Sequence, residues 1–106
     1  MSLQDIQHDV EVWTGQFTPQ YWPPYEILAR LTEELGEVGR EVNHLYGTKK
    51  KKATEATKSL SDELVDVIFT VVCMANSHGI NLSEAWDLMM KKKLYGRDQQ
   101  RFEKKV

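Results

Sequence analysis

The chain has 106 residues, enough for one domain (residues 1–106) built around one core. Apolar residues make up 41% and charged residues 28%, and the net charge is −2, so nothing in the balance points to nucleic acid or an anionic membrane as a partner. Cys73 is the single cysteine, which excludes an internal disulfide. No apolar run reaches about 18 residues and the N-terminus has no signal pattern, so a cytoplasmic protein with a reduced, packed thiol is expected.

In chain order, Leu3, Ile6, Val10 and Trp13 recur at helical spacing and predict a first helix over Leu3–Thr14, ended by Gly15. A turn-rich stretch follows through Phe17, Pro19, Trp22 and Pro23. Pro24 suits a helix's first turn, and a second helix is predicted from there to Tyr46, with Gly47 closing it. Its apolar stripe is Ile27, Leu28, Leu31, Leu35, Val38, Val42 and Leu45. The basic, polar run Thr48–Lys58, including Lys49–Lys52, reads as a mobile surface loop. A third helix is predicted from Leu60 to His78, with Ser59-x-x-Asp62 as its start signal and Gly79 as its stop. The last begins after Asn81, with Asn81-x-x-Glu84 as a capping box and Leu82, Ala85, Trp86, Met89 and Met90 directed inward.

Leu64–Ala75 is rich in β-branched residues and resembles a buried strand, but it is too long and has no turn residue within it. A helix is the better reading. No glycine-rich nucleotide loop, βαβ alternation or internal repeat is present, so the doubly wound folds are not indicated. The expectation is an all-α protein with a four-helix-bundle core that includes an N-terminal helix.

Two acidic clusters stand out, Glu33-Glu34-x-x-Glu37 and Asp62-Glu63-x-x-Asp66. At about 100° per residue, Glu33, Glu34, Glu37 and Glu41 share one arc of the second helix, flanked by Arg30 and His44. On the third helix Glu63, Asp66, Thr70, Cys73 and Ser77 form a narrow polar seam on an otherwise apolar cylinder. A helix that is apolar around most of its circumference is buried, so Glu63 and Asp66 are expected near the interior. Carboxylates there need a cation, and an all-oxygen cage from two helices suits Mg²⁺, with Mn²⁺ able to substitute. Either cluster alone is more often a solvated helix face. Their combination, one of them on an apolar helix, favours a metal.

Glu33-Glu34-x-x-Glu37 followed by Glu63-x-x-Asp66 resembles the signature of the all-α nucleoside triphosphate pyrophosphohydrolases, the MazG group. Tyr21-Trp22-Pro23-Pro24, Leu64–Ala75, Gly79-Ile80-Asn81-Leu82 and Arg97-Asp98 resemble its compact, single-domain branch. The resemblance implies a dimer or tetramer that hydrolyses NTPs or dNTPs to the monophosphate and pyrophosphate. It implies Glu34, Glu37, Glu63 and Asp66 as Mg²⁺ ligands, with Glu33 either supporting those ligands from behind or helping to orient the attacking water. It further implies Lys93 and Arg97 as phosphate donors, although Tyr95 stands where the family often has asparagine. Trp13, Trp22 and Tyr25 are candidates to stack on a base, against the plainer reading that they pack in the core. His8 and His78 carry no signal. Two other readings fit the same residues: a dUTPase-like or dCTP-selective enzyme of the same fold, and a non-catalytic helical interaction module with a structural cation site.

Overall fold

The computed structural model describes residues 1–48 and 53–105. It contains four α-helices and, among the described residues, no strand. Helix α1 spans Leu3–Thr14 and opens on a reciprocal capping box: the Ser2 hydroxyl accepts from the Asp5 N–H at 3.1 Å, and the Asp5 carboxylate accepts from the Ser2 N–H at 2.8 Å. Helix α2, Pro24–Tyr46, starts on the proline and ends at Gly47, whose N–H donates to the Asn43 carbonyl at 2.7 Å.

Helix α3 runs over Ala53–Ser77 and so starts seven positions earlier than the sequence predicts. The expected loop is helical from Ala53 onward because alanine, glutamate and lysine there are good helix formers, and Ser59 and Asp62 lie inside the helix instead of capping it. Lys49–Lys52 lie outside the described residues. At the other end of α3, Gly79 (φ +65°) turns the chain. Its N–H donates to the Asn76 carbonyl at 3.1 Å and that of Ile80 to the Ala75 carbonyl at 2.9 Å, a Schellman closure. Helix α4, Leu82–Leu88, is capped by Asn81, whose side chain accepts from the Glu84 N–H at 3.2 Å. It continues as a π-helical stretch, Met89–Tyr95, and a 3-10 turn at Asp98–Gln100.

Helices α2 and α3 pack along each other as a helical hairpin, and α1 lies against α3 and α4. Gln7 and Asn76 knit the second contact. The Gln7 amide donates to the Asn76 side chain (2.8 Å) and the Ile80 carbonyl (2.7 Å), and its oxygen accepts from the Leu82 N–H (2.8 Å). Asn76 donates back to the Gln7 carbonyl (3.0 Å) and to the Tyr21 hydroxyl (3.1 Å), and that hydroxyl donates to the Glu11 carboxylate. This network anchors the turn-rich segment between α1 and α2 over the start of the hairpin.

The core within one chain is thin. Among the described residues its buried apolar side chains are Val10, Ile27, Val72 and Ala75. The apolar circumference of α3 therefore does not translate into burial: Leu64, Val65, Ile68, Phe69 and Val71 are exposed. Trp86 and Ala85 also face outward, contrary to the inward placement expected for them, because among the described residues α4 packs chiefly on α1 and its own continuation.

Candidate active site

The hairpin brings the two acidic clusters together. A carboxylate oxygen from Glu34 on α2 and one each from Glu63 and Asp66 on α3 all lie within 4.8 Å of one another. Oxygens around one octahedral cation at the Mg²⁺ bond length sit about 3.0–4.2 Å apart, so the spacing fits a shared hard cation after small side-chain movement. Glu34 is buried, Glu63 half-buried and Asp66 exposed. Asp66 was expected inside. It stands at the open side of the hairpin, so the three acids run from the protein interior to its surface.

The electrostatics are those of an under-compensated acid cluster. Burial pushes the Glu63 carboxyl above its ordinary range, and Asp66, Glu37, Glu34 and Glu41 add to the push. Arg30, one helical turn before Glu34, sets its Nε 3.1 Å from that carboxylate. Glu41 is buried and pairs with His44 Nδ1 at 3.1 Å. Glu37 is outside the three-carboxylate cluster, 3.7 Å from Arg40, yet close enough to act on Glu63. Glu33 faces solvent, 3.7 Å from Arg30.

Beside the acids opens a cavity of about 470 Å³, in the size range of sites that hold small organic ligands. Glu34, Asp66 and Arg30 form its polar end, and Trp13, Phe17, Trp22 and Phe69 line the rest. Trp13 meets Phe17 at 5.0 Å between ring centroids, tilted by 59°, and Phe69 edge-on at 5.9 Å. Trp13 and Trp22 remain about half exposed, at 54% and 53%, so their rings are walls of this cavity and not sealed core.

Three of the sequence candidates lie elsewhere. Tyr25 is exposed and does not line the cavity. Lys93 belongs to the π-helical stretch, which among the described residues packs chiefly on α4 and the 3-10 turn. Arg97 is engaged by Asp98 at 2.8 and 3.3 Å, a pairing that raises the arginine and, with Arg101, lowers the aspartate. Conversely, Phe17, Gln20 and Phe69 line the cavity without having been singled out. Phe69 was reachable from the sequence, because it follows Asp66 by three positions and shares its face. Gln20 was not, since only the folding back of the inter-helix segment brings it there.

Residues 23–102 match the family model described as the MazG nucleotide pyrophosphohydrolase domain. The chain is 51% identical over 104 residues to YpjD of Bacillus subtilis, an uncharacterized protein, covering 98% of this chain and 93% of the relative. The crystal structure of YpjD, described as that of a candidate pyrophosphatase, superposes with a TM-score of 0.79 at 53% identity, over 88% of this chain and 95% of that one. The crystal structure of the Bacillus-conserved MazG protein, a nucleotide pyrophosphohydrolase, superposes with a TM-score of 0.78 at 42% identity, over 95% and 97% of the two chains. The chain therefore belongs to the MazG nucleotide pyrophosphohydrolase family and is a hydrolase.

Proposed function

We propose that this chain hydrolyses nucleoside triphosphates or their deoxy counterparts to the monophosphate and pyrophosphate, in the manner of a nucleotide-pool house-cleaning enzyme that depends on Mg²⁺, with Mn²⁺ as a substitute. The observation that carries the reading is the meeting of three carboxylates from two helices, within 4.8 Å, at the polar end of an aromatic-lined cavity. The shape divides a nucleotide naturally, with phosphates toward the acids and the base among the rings. A non-catalytic interaction module has no use for that division, and family membership argues against it as well.

In this reading Glu34, Glu63 and Asp66 hold the cation, and Glu37 joins them as a fourth ligand by giving up its loose contact with Arg40. When bound, the cation offsets phosphate charge and lowers the pKa of a coordinated water. Arg30 has a second task beyond pairing Glu34. Its guanidinium lines the cavity and supplies donors to phosphate oxygens, which the acids themselves would repel. Glu33, on the same turn as Arg30's contacts, orients the attacking water and accepts its proton. Trp13 and Trp22 present ring faces to the base.

Lys93 and Arg97 act on phosphate in this proposal from a second copy of the chain, since their own arm packs away from the acids. A homo-oligomer, dimer or tetramer, is thus part of the reading, and the uncovered apolar side of α3 supports it.

The test is pyrophosphate release from a panel of NTPs and dNTPs with Mg²⁺ or Mn²⁺. Asp66→Asn and Glu63→Gln should each lower turnover by roughly a hundredfold or more, the scale of losing a group that supports transition-state charge. Wild-type rates in both variants would overturn the assignment.

A further inference from the structure

Every nitrogen-bound hydrogen on the Gln20 side chain is already committed. Its Nε2 donates to the Glu11 carbonyl and to the Thr14 hydroxyl oxygen, each at 3.3 Å. Neither partner has a hydrogen to give back. A carbonyl has none, and Thr14 directs its own hydroxyl hydrogen to the Val10 carbonyl at 2.8 Å. The amide orientation follows from this chemistry: nitrogen toward Glu11 and Thr14, and oxygen away from them. Among the described residues Oε1 has no hydrogen-bond partner, and Gln20 lines the aromatic cavity.

The hydroxyl groups on that wall are spent as donors. The Thr70 hydroxyl donates to the Asp66 carbonyl at 2.9 Å, and the Tyr21 hydroxyl donates to the Glu11 carboxylate while accepting from Asn76. Arg30 faces Glu34 at the phosphate end. Cys73 adds only a thiol, whose proton burial helps to retain. Besides the carboxylates and Arg30 at the phosphate end, the side-chain groups left to meet a base are the Gln20 Oε1 acceptor, the indole N–H donors of Trp13 and Trp22, and the weak S–H of Cys73 on α3.

We propose that Gln20 is a specificity-determining residue that selects bases carrying an exocyclic amine beside an unprotonated ring nitrogen, the pattern shared by cytosine and adenine. The proposal rests on the reading that the base occupies the aromatic cavity. An exocyclic amine donates to Oε1 without bringing another acceptor to it. In uracil a carbonyl takes the amine's place and meets Oε1 lone pair to lone pair. A half-open site that hydrogen-bonds an amine rejects the isostere lacking it by leaving its own acceptor unpaired.

The experiment is kcat/KM for pyrophosphate release by the full-length protein on matched pairs, ATP against purine riboside triphosphate and CTP against its 4-deamino analogue, with UTP alongside. The amine should be worth on the order of tenfold or more. Gln20→Met, similar in length but without the acceptor, should bring the ratios toward one. Efficient cleavage indifferent to the amine, or ratios unchanged in Gln20→Met, overturns the role of Gln20 and leaves the hydrolase reading standing. If the wild-type protein cleaves none of these nucleotides, the reading of the site falls and this proposal falls with it. Should thermal melts show Gln20→Met unfolded, the matched pairs on the wild-type protein decide alone, because there the deletion is made in the ligand.

Discussion

Glu63 shows how a residue's neighbours set both its protonation and its effect on stability. Its carboxyl is raised above the ordinary 4.5 by burial and by four nearby acids. The folded chain therefore keeps a proton that the unfolded chain has already released. Stability from this group is greatest below about pH 4.5 and declines as pH rises through the elevated folded value. Asp5 and Asp98 run the other way. Both are lowered from 3.8, Asp5 chiefly by the Ser2 backbone and hydroxyl and Asp98 chiefly by Arg97, so their contribution is lost as pH falls below that value. Melting of the protein in a chelator across pH 4 to 8 should show the Glu63 decline on the high side. Glu63→Gln should flatten it and raise the melting temperature at neutral pH, and millimolar Mg²⁺ should do the same for the wild type. A Glu63→Gln protein less stable than wild type in chelator would show that the carboxylates are already compensated. At this scale the sequence was a good guide to which acids meet, since helical spacing ranks neighbours. It did not foresee their order of burial. That Glu34 is buried and Asp66 exposed is settled only when the helices assemble.

The helices themselves were legible because each carries its own punctuation. Pro24 starts α2, Gly47 ends it, and Gly79 ends α3 by adopting a φ of +65°. A Cβ added to Gly79 meets nothing within 4 Å, so Gly79→Ala isolates the backbone cost of the left-handed conformation. It should destabilise by about 1–2 kcal/mol. Gly36 is the opposite case: mid-helix, with nothing within 4 Å of the added Cβ. Gly36→Ala should stabilise by about 0.8–1 kcal/mol. Urea denaturation of both variants gives the two signs. If Gly36→Ala destabilises, that part of α2 is covered in the assembled protein. The early start of α3 was missed for a related reason. A capping motif in the sequence is a local option, and good helix formers upstream of Ser59 carry the helix straight through it.

For the whole molecule, shape is the telling quantity. The radius of gyration is 17.2 Å, whereas a compact domain of this length has about 13 Å. The chain is an open hairpin with an arm, 45 × 40 × 27 Å, and leaves large apolar side chains on α3 uncovered. A patch of that kind marks an interface, and a second copy of this chain is the occupant proposed above. Sedimentation velocity at micromolar concentration should give a dimer or tetramer mass, and Val65→Asp, on the exposed side of α3, should shift it toward monomer with loss of turnover. A wild-type protein that sediments as a monomer while fully active would remove the second copy from the mechanism. Among the described residues no single helix is long and apolar enough to cross a membrane.

By itself the sequence determined the all-helical architecture, the helix ends set by proline and glycine, and the two acidic motifs whose spacing puts each on one helix face. Those features depend on residues within one or two turns of each other, where backbone geometry leaves few choices. Only the tertiary structure decided the rest: that Glu34, Glu63 and Asp66 converge while Glu33 faces solvent, that Arg30 joins them, and that Trp13, Gln20 and Phe69 share one cavity. Apart from the Arg30–Glu34 pair on one helix, these meetings join residues far apart along the chain. They depend on how α2 pairs with α3 and on how α1 and the segment after it fold over that hairpin, which no local spacing encodes.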